Sequence, residues 1–179
     1  MMNKIKKKKN VVLIGMPGAG KSTVGIVLAK MLGYKFLDSD LLIQEQEGKI
    51  LSDLIFEHGI EGFIAIENRV NKEIRARGTV IATGGSVCYC DEALRKMKED
   101  GIIVYLRVTE ANLKRRLGDL GKRGVVIRKG SDLHDLYLER TPLYEKYADL
   151  TVNVSNVRME EAIKRVYAAV SERLEMGDE

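Results

Sequence analysis

The sequence predicts a three-layer α/β/α fold built on a parallel sheet, and three observations support this prediction. Short apolar runs alternate with helical patterns from one end of the chain to the other. No internal repeat and no linker-like segment interrupts the alternation, and 179 residues suffice for one domain with a sizeable core. Because each apolar run is followed by a helix that can cross to the next strand, we expect parallel strands covered on both faces.

The individual elements follow from local patterns of apolar residues and from glycine stops. Apolar runs predict five strands, at 11–14, 34–40, 78–85, 101–108 and 149–154. Helical patterns lie at 21–32, 51–59, 61–78, 91–101, 110–118, 132–147 and 158–175. The last of these carries apolar residues at Ala162, Ile163 and Val166, which form a stripe suited to packing on a sheet.

Composition and charge exclude several classes of protein. At 45% hydrophobic and 31% charged the composition is typical of a globular protein, and no apolar stretch is long enough to span a bilayer. The N-terminus lacks the apolar region of a secretory signal, so a cytoplasmic location is expected. The run Lys6–Lys9 is interpreted as a solvated tail rather than a nucleic-acid contact. Neither the cysteines nor the histidines have metal-ligand spacing.

The stretch GMPGAGKST follows the first strand and opens the first helix. It matches G-x-x-x-x-G-K-[ST] through Gly15, Gly20, Lys21 and Ser22, in the strand–turn–helix context that this motif requires. Glycines let backbone N–H groups surround phosphate oxygens, and the helix N-terminus adds a favourable dipole. Lysine can then reach the β- and γ-phosphates, and the serine hydroxyl can bind Mg²⁺. The motif therefore predicts nucleoside triphosphate binding.

A pair of aspartates favours a small-molecule kinase over a GTPase. No N-K-x-D guanine motif is present, since the string NKEI has Ile74 at its fourth position. Asp38 and Asp40 stand two residues apart where the second strand ends, so both side chains are expected on one side, next to the ligand crevice. Phosphoryl transfer to a hydroxyl needs such carboxylates. The alternative is that Ser39 and Asp40 simply cap the helix that follows.

Taken together, the motifs resemble those of the shikimate kinases over nearly the whole chain. The resembling pieces are GMPGAGKST, FLDSD, the F-x-x-x-E spacing from Phe63 to Glu67, ATGGS at 82–86, Arg123, and RTPLY from Arg140. The resemblance implies a single domain over 1–179 with a five-stranded parallel sheet of the P-loop kinase type. It also implies a P-loop at 15–22, a substrate-binding region at about 38–75 and a lid at about 118–130. The lid segment has four glycines and four basic residues, as expected of a loop that closes over phosphates.

The resemblance also implies roles for individual residues. Lys21, Asp40 and Arg123 would be catalytic, with Asp40 as base or orienting group, and Ser22 and Asp38 would bind Mg²⁺. Asp40, Gly84, Gly85 and Arg140 would bind the acceptor, with Arg140 on its carboxylate. ATP would contact Gly18, Ala19, Gly20, Lys21, Ser22, Thr23, Arg116 and Arg123, with Arg116 against the adenine.

The departures from the family pattern lie on the acceptor side. The family has arginine directly after the phenylalanine, where it clamps the shikimate carboxylate, and this chain has Ile64. Gly-Gly-Gly has become Gly84-Gly85-Ser86, the R-P-L-L of the lid has become RGVV, and an acid has become Ile60. Arg69 lies too far round the helix to replace the missing arginine. Glu67 would thus lose the partner it has in the family, and an isoleucine facing the pocket would suit an acceptor with an apolar edge. Ile64 packed into the core is the other interpretation.

These observations predict ATP-dependent phosphorylation of a hydroxyl on a small molecule, with shikimate as the first expectation. Another small hydroxy acid or polyol remains an alternative acceptor, and a nucleotide-dependent binding module with a decayed acceptor site is a second alternative. Nothing in the sequence indicates an obligate interface, so a monomer is expected. A role with a membrane or with nucleic acid is disfavoured.

Overall fold

The computed structural model describes residues 9–117 and 125–176. In this part of the chain, five parallel strands form one sheet in the order β2-β3-β1-β4-β5. The strands are β1 Asn10–Ile14, β2 Lys35–Asp38, β3 Thr79–Ala82, β4 Gly101–Arg107 and β5 Leu150–Asn153. All five predicted strands and the parallel arrangement are therefore confirmed.

Seven α-helices are described within the same residues, together with one short 3₁₀ helix at Gly85–Tyr89. The α-helices are α1 Lys21–Leu32, α2 Ser39–Glu47, α3 Leu51–Glu73, α4 Asp91–Asp100, α5 Glu110–Leu117, α6 Leu133–Tyr147 and α7 Met159–Met176. None of the helices in the described ranges combines the length and the apolar character that a membrane span requires.

The helices cover both faces of the sheet, as the contacts of two neighbouring residues of β1 demonstrate. Leu13 lies beneath α1, where a Cβ added to Gly25 would come within 3.3 Å of its side chain. The adjacent Val12 instead lines a small cavity with Asn71 of α3 and Met97 of α4. Since successive strand residues point to opposite faces, α1 and the α3–α4 pair lie on opposite sides. The three-layer α/β/α prediction is confirmed.

Helix α3 contains a break where the sequence predicts two helices, at 51–59 and 61–78. At Gly59 the backbone is not helical, since its φ of 67° and ψ of 179° are readily adopted only by glycine. The two helical segments on either side of Gly59 agree with the prediction, but the second ends at Glu73, before the predicted end, because the chain has to become extended ahead of β3. The side chain of Asn10 holds that extended segment, donating to the carbonyl of Ala76 at 2.8 Å and accepting from the N–H of Thr79 at 3.2 Å.

The order of the strands determines where a ligand can bind. The chain leaves β1 through α1 to reach β2 on one side, and leaves β3 through α4 to reach β4 on the other side of β1. Parallel sheets of this kind bind ligands at the carboxyl ends of the strands where the connections diverge. In this chain the segments at that place are the turn after β1, the aspartates after β2 and the glycines after β3.

Candidate active site

The turn between β1 and α1 has the conformation that phosphate binding requires. Gly15, Gly18 and Gly20 all have positive φ angles, of 145°, 79° and 95°. A Cβ on Gly15 would lie 2.8 Å from the carbonyl oxygen of Leu106, so the turn packs directly against β4. The glycine spacing recognised in the sequence is thus required by backbone geometry. It leaves the N-terminus of α1 open to an anion.

Lys21 is held in place by the turn it follows. Its Nζ donates to the carbonyls of Gly15 at 2.7 Å and Met16 at 2.9 Å, and the side chain is buried. Burial lowers the pKa of Lys21 to about 8, although the nearby carboxylate of Asp40 opposes this shift. An ammonium group has three N–H donors, so one remains for a phosphate oxygen in the cavity that Lys21 lines.

Ser22 and Asp38 form a hydroxyl–carboxylate pair. Ser22 Oγ donates to Asp38 Oδ2 at 2.7 Å. The other oxygen of Asp38 accepts from the N–H groups of Asp40 at 3.0 Å and Leu41 at 3.4 Å, so Asp38 is the N-cap of α2. The alternative that Ser39 and Asp40 cap this helix is therefore wrong, because both already lie in its first turn. Oxygen donors of this kind are the ligands that Mg²⁺ prefers, so the pair fits the predicted metal.

The predicted acceptor-side residues meet the P-loop in one cavity of about 220 Å³. Its walls come from the turn after β1, the first turns of α1 and α2, α3, the turn after β3, the end of α5, residues 125–126 and α6. Lining residues include seven predicted from the sequence, namely Gly18, Lys21, Ser22, Asp40, Gly84, Gly85 and Arg140. Of the other predicted nucleotide contacts, Ala19 is buried and Thr23 is exposed, and neither lines this cavity.

Asp40 stands at the acceptor end of this cavity beside Gly84. Burial raises the pKa of Asp40 to about 6, and the neighbouring charge of Asp38 adds to the rise. A Cβ placed on Gly84 would lie 2.6 Å from Asp40 Oδ1 and 2.8 Å from Glu67 Oε1. The glycine therefore allows two carboxyl groups to approach the same piece of backbone. Asp40 is ionised at neutral pH and close enough to its pKa to exchange a proton.

Arg140 contributes a buried cation to the same cavity. It is 1% exposed, its Nη2 donates to the carbonyl of Val126, and its guanidinium lies 5.3 Å from the ring centre of Tyr89. Its Nη1 has no hydrogen-bond partner among the described residues and lies 3.1 Å from the position of a Cβ on Gly85. A buried guanidinium with a free N–H group is suited to binding an anionic part of a ligand.

Glu67 and Ser86 are site residues that the sequence prediction did not include. Ser86 lines the cavity and donates from Oγ to Glu67 Oε2 at 2.5 Å. Burial raises the pKa of Glu67 to about 7, whereas the hydrogen bond from Ser86 acts in the opposite direction. A sequence signal for Glu67 exists, because Phe63, Glu67 and Val70 fall on the buried face of α3. A charged residue on such a stripe marks a functional candidate.

Ile64 does not line the central cavity. It is half-buried, packs against the main core and lines a separate small space with Ile60, Tyr89, Val126 and Arg140. The structure thus agrees with the interpretation that Ile64 packs into the core, and it places Ile64 beside Arg140 in a space separate from the central cavity.

Arg69 lies on an exposed part of α3. It pairs with Glu47 Oε1 at 2.5 Å. As the sequence indicates, it does not replace the missing arginine.

Arg116 lies outside the central cavity and contacts the P-loop. Its guanidinium is 3.4 Å from the carbonyl oxygens of both Gly18 and Val154, so it connects the P-loop to the loop that follows β5. It lines a second, open cavity of about 420 Å³ with residues of α5 and of the segment before α7.

The predicted lid is described only in its second half. Arg123 and the rest of 118–124 lie outside the described residues. Val125 and Val126 line the central cavity, and Val126 is buried in an apolar cluster with Leu54 and Phe63 of α3. Arg128 lies 3.6 Å from Glu61. The end of the predicted lid thus packs against the predicted substrate-binding region.

Comparisons with known proteins agree with this arrangement. The sequence model of the family described as shikimate kinase matches residues 17–171. A shikimate kinase of Thermodesulfovibrio yellowstonii is 36% identical over 94% of this chain and 98% of its own length. One of Thermobifida fusca is 39% identical over 87% of this chain and 91% of its own. The solved structure of shikimate kinase from Acinetobacter baumannii in complex with shikimate covers 93% of this chain and 94% of its own, with a TM-score of 0.84 and 29% identity. This chain belongs to the shikimate kinase family.

Proposed function

We propose that this protein transfers the γ-phosphoryl group of ATP to a hydroxyl of shikimate, giving ADP and shikimate 3-phosphate. The observation that carries the proposal is the single cavity of about 220 Å³ in which Lys21 and the P-loop face Asp40 and the unpartnered Nη1 of Arg140. One end of this cavity suits a phosphate chain, and the other suits a small acid that bears hydroxyl groups. Membership of the shikimate kinase family supports the same acceptor.

On the nucleotide side, the backbone of the P-loop at 15–22 and the first turn of α1 hold the phosphates of ATP. Lys21 donates its remaining N–H to the transferred phosphoryl group, while the carbonyls of Gly15 and Met16 fix its position. Ser22 and Asp38 hold Mg²⁺, which neutralises phosphate charge when bound. Ala19, Thr23 and Arg116 complete the nucleotide contacts, with Arg116 towards the base, and Arg123 stabilises phosphoryl charge from the lid.

On the acceptor side, Arg140 binds the carboxylate of shikimate through Nη1, and the N–H groups of Gly84 and Gly85 face the substrate. Asp40 accepts the proton of the reacting hydroxyl. The hydroxyl oxygen forms a bond to the γ-phosphorus as the bond from that phosphorus to the bridging oxygen of ADP breaks. The proton leaves with Asp40, whose raised pKa of about 6 suits this exchange near neutral pH. Positioning and electrostatics supply most of the rate.

A different acceptor is also to be tested, because this chain has Ile64 where the family has an arginine that binds the carboxylate of shikimate. Only one arginine, Arg140, lines the central cavity in the described part of the chain, whereas the family resemblance leads us to expect two on the acceptor side. Another small hydroxy acid or a polyol is therefore the alternative substrate. A nucleotide-binding module without transferase activity is less favoured, because such a module has no need for Asp40 and Arg140 at the acceptor end.

A coupled ADP-release assay with MgATP distinguishes these functions. Shikimate is compared with a panel of hydroxy acids and polyols, and the phosphorylated product is identified by mass spectrometry. We expect saturable turnover with shikimate. If only a panel member is phosphorylated, that compound is the acceptor in place of shikimate. If no compound is phosphorylated, the nucleotide-binding module is favoured.

The remaining expectations belong with this proposal. We infer one domain over 1–179, with the substrate-binding region at about 38–75 and the lid at about 118–130, acting as a monomer in the cytoplasm. Light scattering on the purified protein measures the oligomeric state.

A further inference from the structure

The buried pair formed by Ser86 and Glu67 has a chemical consequence for the cavity beside it. Glu67 is fully buried, and none of the residues in the described ranges forms an ion pair with it. Its Oε1 has no hydrogen-bond partner there, and its Oε2 accepts from Ser86 Oγ at 2.5 Å. The hydroxyl of Ser86 is thus the one hydrogen-bond donor to this carboxylate among the described residues.

A serine hydroxyl has one hydrogen to donate and two lone pairs to accept with. In Ser86 the hydrogen is committed to Glu67, because turning it away would leave a buried carboxylate with no donor at either oxygen. Ser86 lines the central cavity. While Glu67 is ionised, the Oγ of Ser86 can therefore act only as an acceptor towards a molecule in that cavity, and it selects for an O–H or N–H group.

Three chemically different groups meet on the short turn after β3. Asp40 Oδ1 lies against Gly84, and the free Nη1 of Arg140 lies against Gly85. Ser86 is the next residue along the same turn. A ligand that contacts this turn therefore meets a carboxylate, a guanidinium and an oriented hydroxyl in succession.

We propose that Ser86, oriented by Glu67, is a specificity-determining residue of this enzyme, and that its Oγ accepts a hydrogen bond from a hydroxyl of the bound acceptor that is not phosphorylated. This inference rests on the proposed function. Arg140 binds the acid group, Asp40 takes the reacting hydroxyl, and Ser86 recognises a second hydroxyl on the same ring. The site thereby prefers an acid with at least two hydroxyl groups over one with a single hydroxyl. Glu67 acts through Ser86 and is a positioning residue.

The charge state of Glu67 gives the inference a second readout. With its raised pKa of about 7, Glu67 takes up a proton when the pH falls below neutrality. The protonated carboxyl can donate to Ser86, which frees the serine hydrogen to turn towards the cavity, and acceptor binding then weakens. The titratable and charged groups facing Glu67 are Asp40 of α2, Lys21 of α1, Arg140 of α6, and the thiols of Cys88 and Cys90.

The test compares Ser86→Ala with the unaltered protein, using shikimate and its two monodeoxy analogues that retain the reacting hydroxyl. We expect Ser86→Ala to raise the KM for shikimate about tenfold, or about 1.4 kcal/mol, while the KM for ATP stays the same. For the analogue that lacks the recognised hydroxyl, the two proteins have equal KM values. Ser171→Ala, which removes a buried hydroxyl from α7, is the matched control and leaves all constants unchanged.

Glu67→Gln provides the pH readout. Between pH 6 and 8 the KM of the unaltered protein for shikimate falls as the pH rises. In Glu67→Gln the part of this dependence near pH 7 is lost, while the part that Asp40 contributes near pH 6 remains. A purely structural role for Ser86 and Glu67 would not change the shape of the profile.

Each outcome decides the inference. Equal shikimate KM values for Ser86→Ala and the unaltered protein overturn it. The inference is also overturned if Ser86→Ala raises the KM by the same factor for shikimate and for both analogues, because Ser86 would then only shape the cavity. If the unaltered protein fails to phosphorylate shikimate, the proposed function fails and this inference fails with it. If Ser86→Ala does not fold, Ser86→Cys, which nearly retains the volume but accepts hydrogen bonds weakly, is measured in its place.

Discussion

Arg140 donates from Nη2 to the backbone carbonyl of Val126, while Nη1 of the same guanidinium has no partner among the described residues. One half of this buried cation is therefore used to hold the chain beside the cavity. The other half remains available to a ligand. Because the carbonyl of Val126 already occupies Nη2, the position of the free N–H group is fixed before any acceptor arrives.

This division predicts the effect of Arg140→Lys. A lysine ammonium has no planar fork, so it cannot keep the contact to Val126 and also present a donor next to Gly85. We expect the KM for the acceptor to rise about ten- to hundredfold, with little change in the KM for ATP. Steady-state kinetics with each substrate varied in turn measure both constants. Arg69→Lys is the matched control, since Arg69 is an exposed partner of Glu47, and an equal effect in the two variants would contradict the assignment.

Asp40→Asn tests whether Asp40 accepts the proton of the reacting hydroxyl. The amide keeps the size of the side chain and cannot take up a proton near neutral pH, so we expect kcat to fall by about 10²- to 10⁴-fold. The KM for ATP should remain within about twofold, because the hydrogen bonds of Lys21 and Ser22 do not involve Asp40. In the unaltered protein the rate should decline as the pH falls through about 6, where Asp40 becomes protonated. A normal kcat in Asp40→Asn would remove Asp40 from the mechanism.

Gly84→Ala tests how tightly the two carboxyl groups approach the turn. The added methyl group would lie within 2.8 Å of oxygens of both Asp40 and Glu67, so either the turn or the carboxylates must move. We expect kcat/KM for the acceptor to fall at least 10²-fold and the free energy of unfolding to fall by about 1–3 kcal/mol. Gly62→Ala in α3 is the control for steric strain alone, because its added Cβ would lie 2.7 Å from the Cβ of His58 and meets no carboxylate. Wild-type kinetics in Gly84→Ala would show that the turn can shift freely.

The raised pKa of Glu67 predicts that the ligand-free protein becomes less stable as the pH rises towards neutrality. Burial raises its pKa from 4.5 to about 7, so between these values the folded state holds a proton that the unfolded state has lost. The stabilisation is complete below 4.5 and disappears as the pH rises through about 7, at up to about 1.4 kcal/mol per pH unit from this one group. The raised pKa of Asp40 acts in the same direction.

Urea denaturation at pH 5 and pH 7.5 measures this effect. We expect Glu67→Gln to lose less stability between the two pH values than the unaltered protein does. Glu160→Gln removes an exposed carboxylate of α7 and serves as the control. Parallel changes in all three proteins would show that Glu67 is ionised in the folded state throughout this range.

The sequence contained enough information for the sheet and for the nucleotide end of the site. The strands are short apolar runs, and the P-loop is a local motif whose lysine and serine positions follow from a fixed turn geometry. The prediction was incomplete on the acceptor side, where the side chains come from elements distant in sequence. Ile64 packs against the core and lies beside Arg140, and these contacts with residues distant in sequence are not revealed by any local pattern.

Glu67 and Asp38 illustrate two different limits of sequence reasoning. Glu67 carries a detectable signal, a charge on an apolar stripe, yet its partner Ser86 lies 19 residues away in another element. For Asp38 the sequence predicts a magnesium ligand, and it assigns helix capping to Ser39 and Asp40 instead. In the structure Asp38 is both the N-cap of α2 and the hydrogen-bond partner of Ser22.

That double use of Asp38 has a mechanical consequence. One short side chain fastens the first turn of α1 to the first turn of α2, so Asp40 and the P-loop form a unit with little freedom between them. Rearrangement of the acceptor region therefore has to pivot further along the chain. Gly48 and Gly59 are the places suited to it, since both have positive φ and no atoms within 4 Å of where a Cβ would stand. We therefore expect Asp40 and the P-loop to keep their relative position, and any rearrangement of the acceptor region to begin after Glu47.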